Sequence, residues 1–346
     1  MQVKEILREY SINEDGCRVE ALTGGLINGT WKVSADKGEY ILQRINTAVF
    51  KNPEAIAQNL ELISEYLKRF PNYLFVGPIK NNSGNTLTVR DSRAYRIFPF
   101  INNTHTIDKV TTADEAYEAA AQFGQFTYML KDFDAGKLEI TIPDFHNLTL
   151  RYSQFLQATE SGNIERIKQA AQSIKKLKQN SSIVEEYNAI TKNQNFPKRV
   201  THHDTKISNV LFDNHSKGVC VIDLDTVMPG YFFSDVGDMM RTYLSPSTEE
   251  ETDFSKITIR PEVYEAIVNG YRDRMRQILT QQENQKFFYS GTFMIYMQAL
   301  RFITDFLNND VYYGAKYPDH NFNRAGNQVA LLERLIEQKG ILTQRR

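Results

Sequence analysis

The spacing of apolar and polar positions changes near residue 101. Before that point, short runs of strand character dominate. Val19 to Leu22, Gly29-Thr30-Trp31-Lys32-Val33 and Tyr40-Ile41-Leu42 read as strands. Asp36-Lys37-Gly38, between the last two, is a hairpin signal. Ile6 and Leu7 mark a short amphipathic opening helix. A longer helix is predicted from Asn52-Pro53, because Asn caps helix N-termini well and Pro suits the first turn. Ile56, Leu60, Ile63 and Leu67 follow at helical spacing. Two more strands flank the Asn81-Asn82-Ser83-Gly84-Asn85 turn, the second being Ala94-Tyr95-Arg96-Ile97-Phe98 before Pro99.

Beyond residue 101 the helical period takes over. Ala113 to Leu130 and the stretches 150–192, 262–281, 286–308 and 323–338 all carry it. Two β-type runs, Val210-Leu211-Phe212 and Val219-Cys220-Val221-Ile222, interrupt it. The expected architecture is α+β, with a small β-rich N-terminal lobe (residues 1–101) and a larger helical C-terminal lobe (residues 102–346). No internal repeat and no low-complexity linker is visible.

Composition narrows the partners. The 346 residues suit two lobes, and 41% hydrophobic content can bury a substantial core. With 41 basic and 42 acidic residues, the net charge is -1. No global field draws the chain to nucleic acid or membrane, so an anionic ligand needs a local site. Cys17 and Cys220 make neither a disulfide framework nor a zinc site. The opening Met1-Gln2-Val3-Lys4-Glu5-Ile6-Leu7 lacks a signal-peptide core, and no run reaches the about 18 apolar residues of a membrane span. A cytoplasmic location is expected. His105, His146, His215 and His320 show no metal spacing and read as structural or surface residues.

The strongest chemical signal is His202-x-Asp204-x4-Asn209 before the first of the two late strands, with Ile222-Asp223 ending the second. Phosphoryl transfer to a hydroxyl needs one carboxylate to orient the hydroxyl and accept its proton. It also needs an Asn oxygen and a second carboxylate to hold Mg²⁺ on the nucleotide phosphates. Asp204 is the candidate base, and Asn209 and Asp223 are the candidate metal ligands. Asp225 is a further candidate ligand, since alternate residues of an extended segment share a face. A His-, Asp- and Asn-rich turn is the structural alternative. A second, weaker signal is Thr23-Gly24-Gly25-Leu26-Ile27-Asn28-Gly29-Thr30, whose glycines let backbone N–H groups approach phosphates.

Taken in order, the glycine loop, strand, helix, Tyr95-Arg96-Ile97-Phe98-Pro99 segment, His-x-Asp-x4-Asn and Ile-Asp resemble the aminoglycoside phosphotransferase and choline kinase superfamily. Longer stretches resemble its N-acetylhexosamine 1-kinase branch. They include Gly25-Leu26-Ile27-Asn28, Tyr40 to Asn46, Asp204-Thr205-Lys206, Ile222 to Gly230, Ser234 to Asp238, Arg301 to Asp305, Asp310 to Tyr313 and Lys316 to Pro318. The resemblance implies a two-lobed protein-kinase-like fold using ATP and Mg²⁺. The implied reaction is phosphorylation of the anomeric hydroxyl of GlcNAc or GalNAc. It places adenine near Arg96 and Phe98, and phosphates near Gly24, Gly25, Asn28, Thr30, Gln43 and Arg44. On the sugar side, beside Asp204, it places Tyr243, Arg301, Tyr312 and Tyr313.

This chain departs from the family pattern in places. His203 stands where relatives often carry Gly. Gln43 stands roughly where a phosphate-binding lysine is usual, with Arg44 on the opposite strand face. Glu54, Glu61 and Glu65 are the candidate partner carboxylates on the following helix. Arg301, in an aromatic helical run, calls for a partner, either Asp305 one turn on or a sugar hydroxyl. The rival readings are another acceptor (aminoglycoside, choline, homoserine or a different sugar) and a catalytically dead nucleotide-binding module. A cationic acceptor needs acidic residues, and Asp305 and Asp310 keep it open. The expected partner is a small-molecule sugar, with no nucleic acid and no membrane, and the oligomeric state is left open.

Overall fold

The computed structural model describes residues 2–13, 15–22 and 27–344. Thr23 to Leu26, and with them the expected phosphate contacts Gly24 and Gly25, lie outside the described residues. The chain divides into two compact units. The first is Met1–His105 with Asp132–Pro143 and Leu211–Pro229; the second is the remainder.

In the first unit, β1 (Arg18–Leu22), β2 (Gly29–Ala35), β3 (Gly38–Arg44), β4 (Thr88–Arg90) and β5 (Arg93–Pro99) form an antiparallel sheet. Its strand order is β1-β2-β3-β5-β4. Strand alternation gives the sheet two distinct faces. Val33, Leu42, Tyr95 and Ile97 point to one face and pack with Ile6 and Leu7 of helix α1 (Gln2–Arg8) and with Tyr10 and Ile12. The other face carries the row Thr30, Gln43, Arg96, because Thr30 pairs with Gln43 and Gln43 with Arg96.

The turn that joins β4 to β5 is Asp91-Ser92, not the 81–85 segment. Both residues have positive φ, 49° and 58°, as a two-residue hairpin of matching twist requires. Asn81 instead closes its own turn by accepting from the N–H groups of Ser83 and Asn85.

Helix α2 (Pro53–Leu67) starts as its sequence dictates. Asn52 accepts from the Ala55 N–H, and Ile56, Leu60, Ile63 and Leu67 are buried. Buried Asn59 donates to the carbonyls of Glu139 and Val227 and accepts from the Glu139 N–H. One amide thereby ties both later segments to the first unit. The late strands appear as Val210–Asp213 and Gly218–Val221, in one sheet with Thr104–His105. After them, Asp223 is left-handed (φ 58°) and Leu224–Thr226 is a 3-10 turn.

The second unit is helical. Its main members are α3 (Ala113–Met129), α4 (Leu148–Ser161), α5 (Phe232–Tyr243), α6 (Pro261–Met275), α7 (Phe287–Leu307) and α8 (His320–Glu337). Shorter helices fill residues 164–191. A Thr112–Glu115 capping box starts α3. Helix α5 lies so close to α7 that a Cβ on Gly237 would come within 2.3 Å of the Ser290 carbonyl oxygen. Aromatic rings such as Phe233 and Phe293, 4.9 Å apart and edge to face, fill the space around them. Among the described residues, no helix is long and apolar enough to cross a membrane.

Candidate active site

The loop 202–209, in the second unit, is held from below by α5. Asp235 accepts from the backbone N–H groups of His202 (3.0 Å) and His203 (2.8 Å). Asp238, one turn on, accepts from the Thr205 N–H at 2.9 Å. The Thr205 hydroxyl donates to the Asp235 carbonyl, and the Tyr243 hydroxyl donates to the Thr205 carbonyl at 2.6 Å. These bonds hold His203 at φ 66°, a region that glycine adopts more easily. Burial pushes the Asp235 carboxyl up to about 7; the two backbone donors oppose the shift and Asp238 adds to it.

Within this loop, Asp204 Oδ1 lies 3.1 Å from Lys206 Nζ. Asn209 Nδ2 donates to Asp204 Oδ2 at 3.1 Å and to the Asp204 carbonyl at 2.8 Å. Burial works against the Asp204 charge, but Lys206, His202 and Arg241 outweigh it and hold the carboxyl below its usual value. Asp204 is therefore an anion at neutral pH, as a hydroxyl-orienting base must be. Because the amide nitrogen of Asn209 is engaged, its Oδ1 is the end left for a hard cation. Asp204, Lys206 and Asn209 thus form one cluster.

A second cluster in the same unit surrounds Arg301 on α7. Its Nη1 faces Gln298 Oε1 at 3.3 Å and its Nη2 faces the Tyr312 hydroxyl at 3.4 Å. The guanidinium lies 5.8, 5.8 and 5.3 Å from the ring centres of Phe145, Tyr312 and Tyr313. Asp305 is not its partner. That buried carboxylate accepts from the N–H groups of Tyr312 (2.7 Å) and Tyr313 (2.9 Å) and from Asn321. Asp310 is paired with Arg166 and also accepts from Asn321. Arg151 adds positive charge nearby; burial first, and Arg301 second, lower its pKa. The patch connects to the loop through His146, which stacks on Phe145 at 4.4 Å and meets His203 Nδ1 at 3.2 Å. Burial, with His203 and Arg301 adding to it, holds the His146 pKa well below its usual value, so the ring is neutral.

In the first unit, Arg96 Nε and Nη2 donate to Gln43 Oε1 at 3.1 and 2.8 Å. Arg96 Nη2 also pairs with the Asp225 carboxylate, both side chains being buried. Asn28 donates to the other Asp225 oxygen at 2.7 Å and accepts from the Asn46 N–H at 2.9 Å. Phe98 lies beside the Arg96 guanidinium, 5.0 Å from its ring centre. Thr30, Gln43, Arg96 and Phe98 share the sheet face opposite α1, whereas Arg44 is exposed on the other side near Trp31. The α2 carboxylates are placed elsewhere. Glu61 accepts from Thr86, Glu65 pairs with Lys68, and Glu54 is exposed in the first turn.

Two expectations need correction. Asp225 does not share a face with Asp223 as expected: it is ion-paired with Arg96 and accepts from Asn28. The alternation argument does not apply there, since 224–226 is a turn and Asp223 is left-handed, which leaves Asp223 exposed and Asp225 buried. Tyr243 is 1% exposed with its hydroxyl on Thr205, so it supports the loop and does not meet a sugar. Lys206, Asp235 and Asp238 had no assigned role. Their signal was two carboxylates three positions apart among Phe232, Phe233, Val236, Met239 and Met240, a placement that demands partners.

A family described as "Phosphotransferase enzyme family" matches residues 18–278. Solved structures with similar folds include a microcompartment-associated aminopropanol kinase (TM-score 0.64, 17% identity, 98% of each chain covered). Another is an aminoglycoside phosphotransferase from Alicyclobacillus acidocaldarius (0.64, 12%, 96% of this chain and 94% of that one). A third is a choline kinase from Cryptosporidium parvum (0.61, 15%, 99% and 97%). At such identities these likenesses establish the fold, one small antiparallel sheet unit with a larger helical one.

Proposed function

The chain belongs to the phosphotransferase enzyme family, and from that premise we propose that it transfers the γ-phosphoryl group of ATP to the anomeric hydroxyl of an N-acetylhexosamine. Asp204 orients that hydroxyl and accepts its proton as the bond to phosphorus forms. Lys206 keeps the carboxylate ionised. Asn209 and Asp223, by the sequence pattern, are the candidate oxygen ligands for Mg²⁺, an ion that takes one or two protein ligands and fills its shell with water and phosphate. Mg²⁺ bound to them would neutralise charge developing on the phosphate oxygens.

The observation that carries the choice of acceptor is the Arg301 patch. It offers guanidinium, phenol and amide groups from Arg301, Tyr312, Tyr313 and Gln298, with aromatic faces beside them. Neither acidic residue of the adjoining turn is available, since Asp305 and Asp310 are already bound within it. A cationic acceptor would meet the like charges of Arg301 and Arg151, with Asp144 acting only on the Arg151 side. A neutral polyhydroxylated ring, able to stack and to accept from Arg301, fits the patch. The resemblance of the surrounding stretches to N-acetylhexosamine 1-kinases points to the same acceptor. The test is ADP release with GlcNAc, GalNAc, glucose, galactose, choline and kanamycin, with the product read by phosphorus NMR. Turnover is expected on GlcNAc or GalNAc, giving the sugar 1-phosphate. Turnover confined to choline or kanamycin would overturn the reading.

A further inference from the structure

The sheet face that carries Thr30, Gln43 and Arg96 holds a buried cation with incomplete partners. Arg96 is 2% exposed. Its Nε and Nη2 are engaged by Gln43 and Asp225, while Nη1 is buried with no hydrogen-bond partner among the described residues. A buried guanidinium nitrogen without an acceptor is costly, and an anionic oxygen is one group that would satisfy it. Other cations of this unit do not serve that position. Arg44 is exposed on the opposite face, and Lys32 is paired with Glu39 and lies over the Phe100 ring.

We infer that Arg96 supplies the positive charge that meets the nucleotide phosphates, held in place by Gln43 and Asp225. This rests on the phosphotransferase reading above. In kinases that keep a strand lysine, a helix glutamate positions it. Here the cation comes from the neighbouring strand, directly across from Gln43, and its carboxylate comes from the turn two residues after Asp223. A guanidinium suits this arrangement because its fork can hold Gln43 and Asp225 and still present a third nitrogen. Asn28 on the second Asp225 oxygen fixes the carboxylate from the other side.

The test compares dissociation constants of MgATP and of adenosine for folded protein, measured calorimetrically. Arg96→Gln should weaken MgATP roughly tenfold to a hundredfold, the loss expected for a charge-assisted hydrogen bond, and leave adenosine nearly unchanged. Gln43→Lys with Arg96→Gln should restore most of the preference for MgATP over adenosine. It also keeps Asp225 paired, so it decides the matter if the single variant does not fold. Equal MgATP binding by wild type and Arg96→Gln overturns the inference alone. So does a folded double variant without the preference. Wild-type protein that binds no MgATP overturns the phosphotransferase reading itself.

Discussion

Asp204 sits under opposing influences. Burial disfavours its charge, and Lys206 first, then His202 and Arg241, restore it. Its two oxygens are oriented by different neighbours, Lys206 on one and Asn209 on the other. Asp204→Asn keeps the shape and an acceptor for Asn209 but removes the negative charge. Turnover should fall by roughly 10² to 10⁴, the usual contribution of a positioned base. The melting temperature should stay within a few degrees of wild type. Turnover within a few-fold of wild type would remove Asp204 from the mechanism. Arg301 shows the same logic in the second cluster. Its sequence neighbour Asp305 looked like a partner one turn away, yet that carboxylate serves the backbone of Tyr312 and Tyr313. The groups facing the Arg301 guanidinium are Gln298, Tyr312 and aromatic rings, with Arg151 adding like charge nearby.

At the scale of elements, the loop 201–205 and the start of α5 are built as one piece. Gly230 stands where the chain passes closest to the loop. A Cβ there would fall 2.3 Å from Thr201 Oγ1 and 2.4 Å from the His203 ring. Gly230→Ala should therefore destabilise the protein by about 1–3 kcal/mol, the cost of overpacking. It should also lower turnover more than it lowers nucleotide affinity. Urea unfolding read beside MgATP binding checks both, and unchanged stability would show that the contact relaxes freely. Much of this level was legible in the chain. Asn52-Pro53 and the spacing of Ile56, Leu60, Ile63 and Leu67 announced α2 because caps and helical period are local properties. The Asp91-Ser92 hairpin was not announced, since Ser92 carries no strong positive-φ preference and the Asn81–Asn85 cluster offered a louder turn signal. The bonds from α5 to the loop join residues some 30 positions apart, and local pattern does not reveal such partners.

For the whole molecule, the buried Asp235 makes stability depend on pH in a defined direction. Its folded-state pKa lies near 7, above that of an unfolded aspartate. Between about pH 4 and 7 the folded chain holds a proton that the unfolded chain has lost. Its contribution is therefore present at low pH and disappears as pH rises through about 7, with a slope of up to about 1.4 kcal/mol per pH unit. Asp235→Asn should remove that slope, so the wild-type melting temperature should fall relative to the variant's as pH rises from about 4 to 7. Parallel curves would show that Asp235 titrates normally. The division into units is also a property of the whole. Residues 132–143 and 211–229 belong to the first unit, and Asn59, deep in α2, binds the backbone of both. By itself the sequence determined the α+β class, the main helices and most strands of the sheet, and it singled out Asp204, Asn209 and Asp223 as candidates. All of these follow from local period, capping and residue type. Only the tertiary structure decided which carboxylates are engaged and which cation stands beside Gln43. It paired Asp225 with Arg96, set the Tyr243 hydroxyl on the Thr205 carbonyl, and placed Arg96 across from Gln43. The reason is that pairing and burial depend on what comes together across strands and turns, and residue order alone does not specify it.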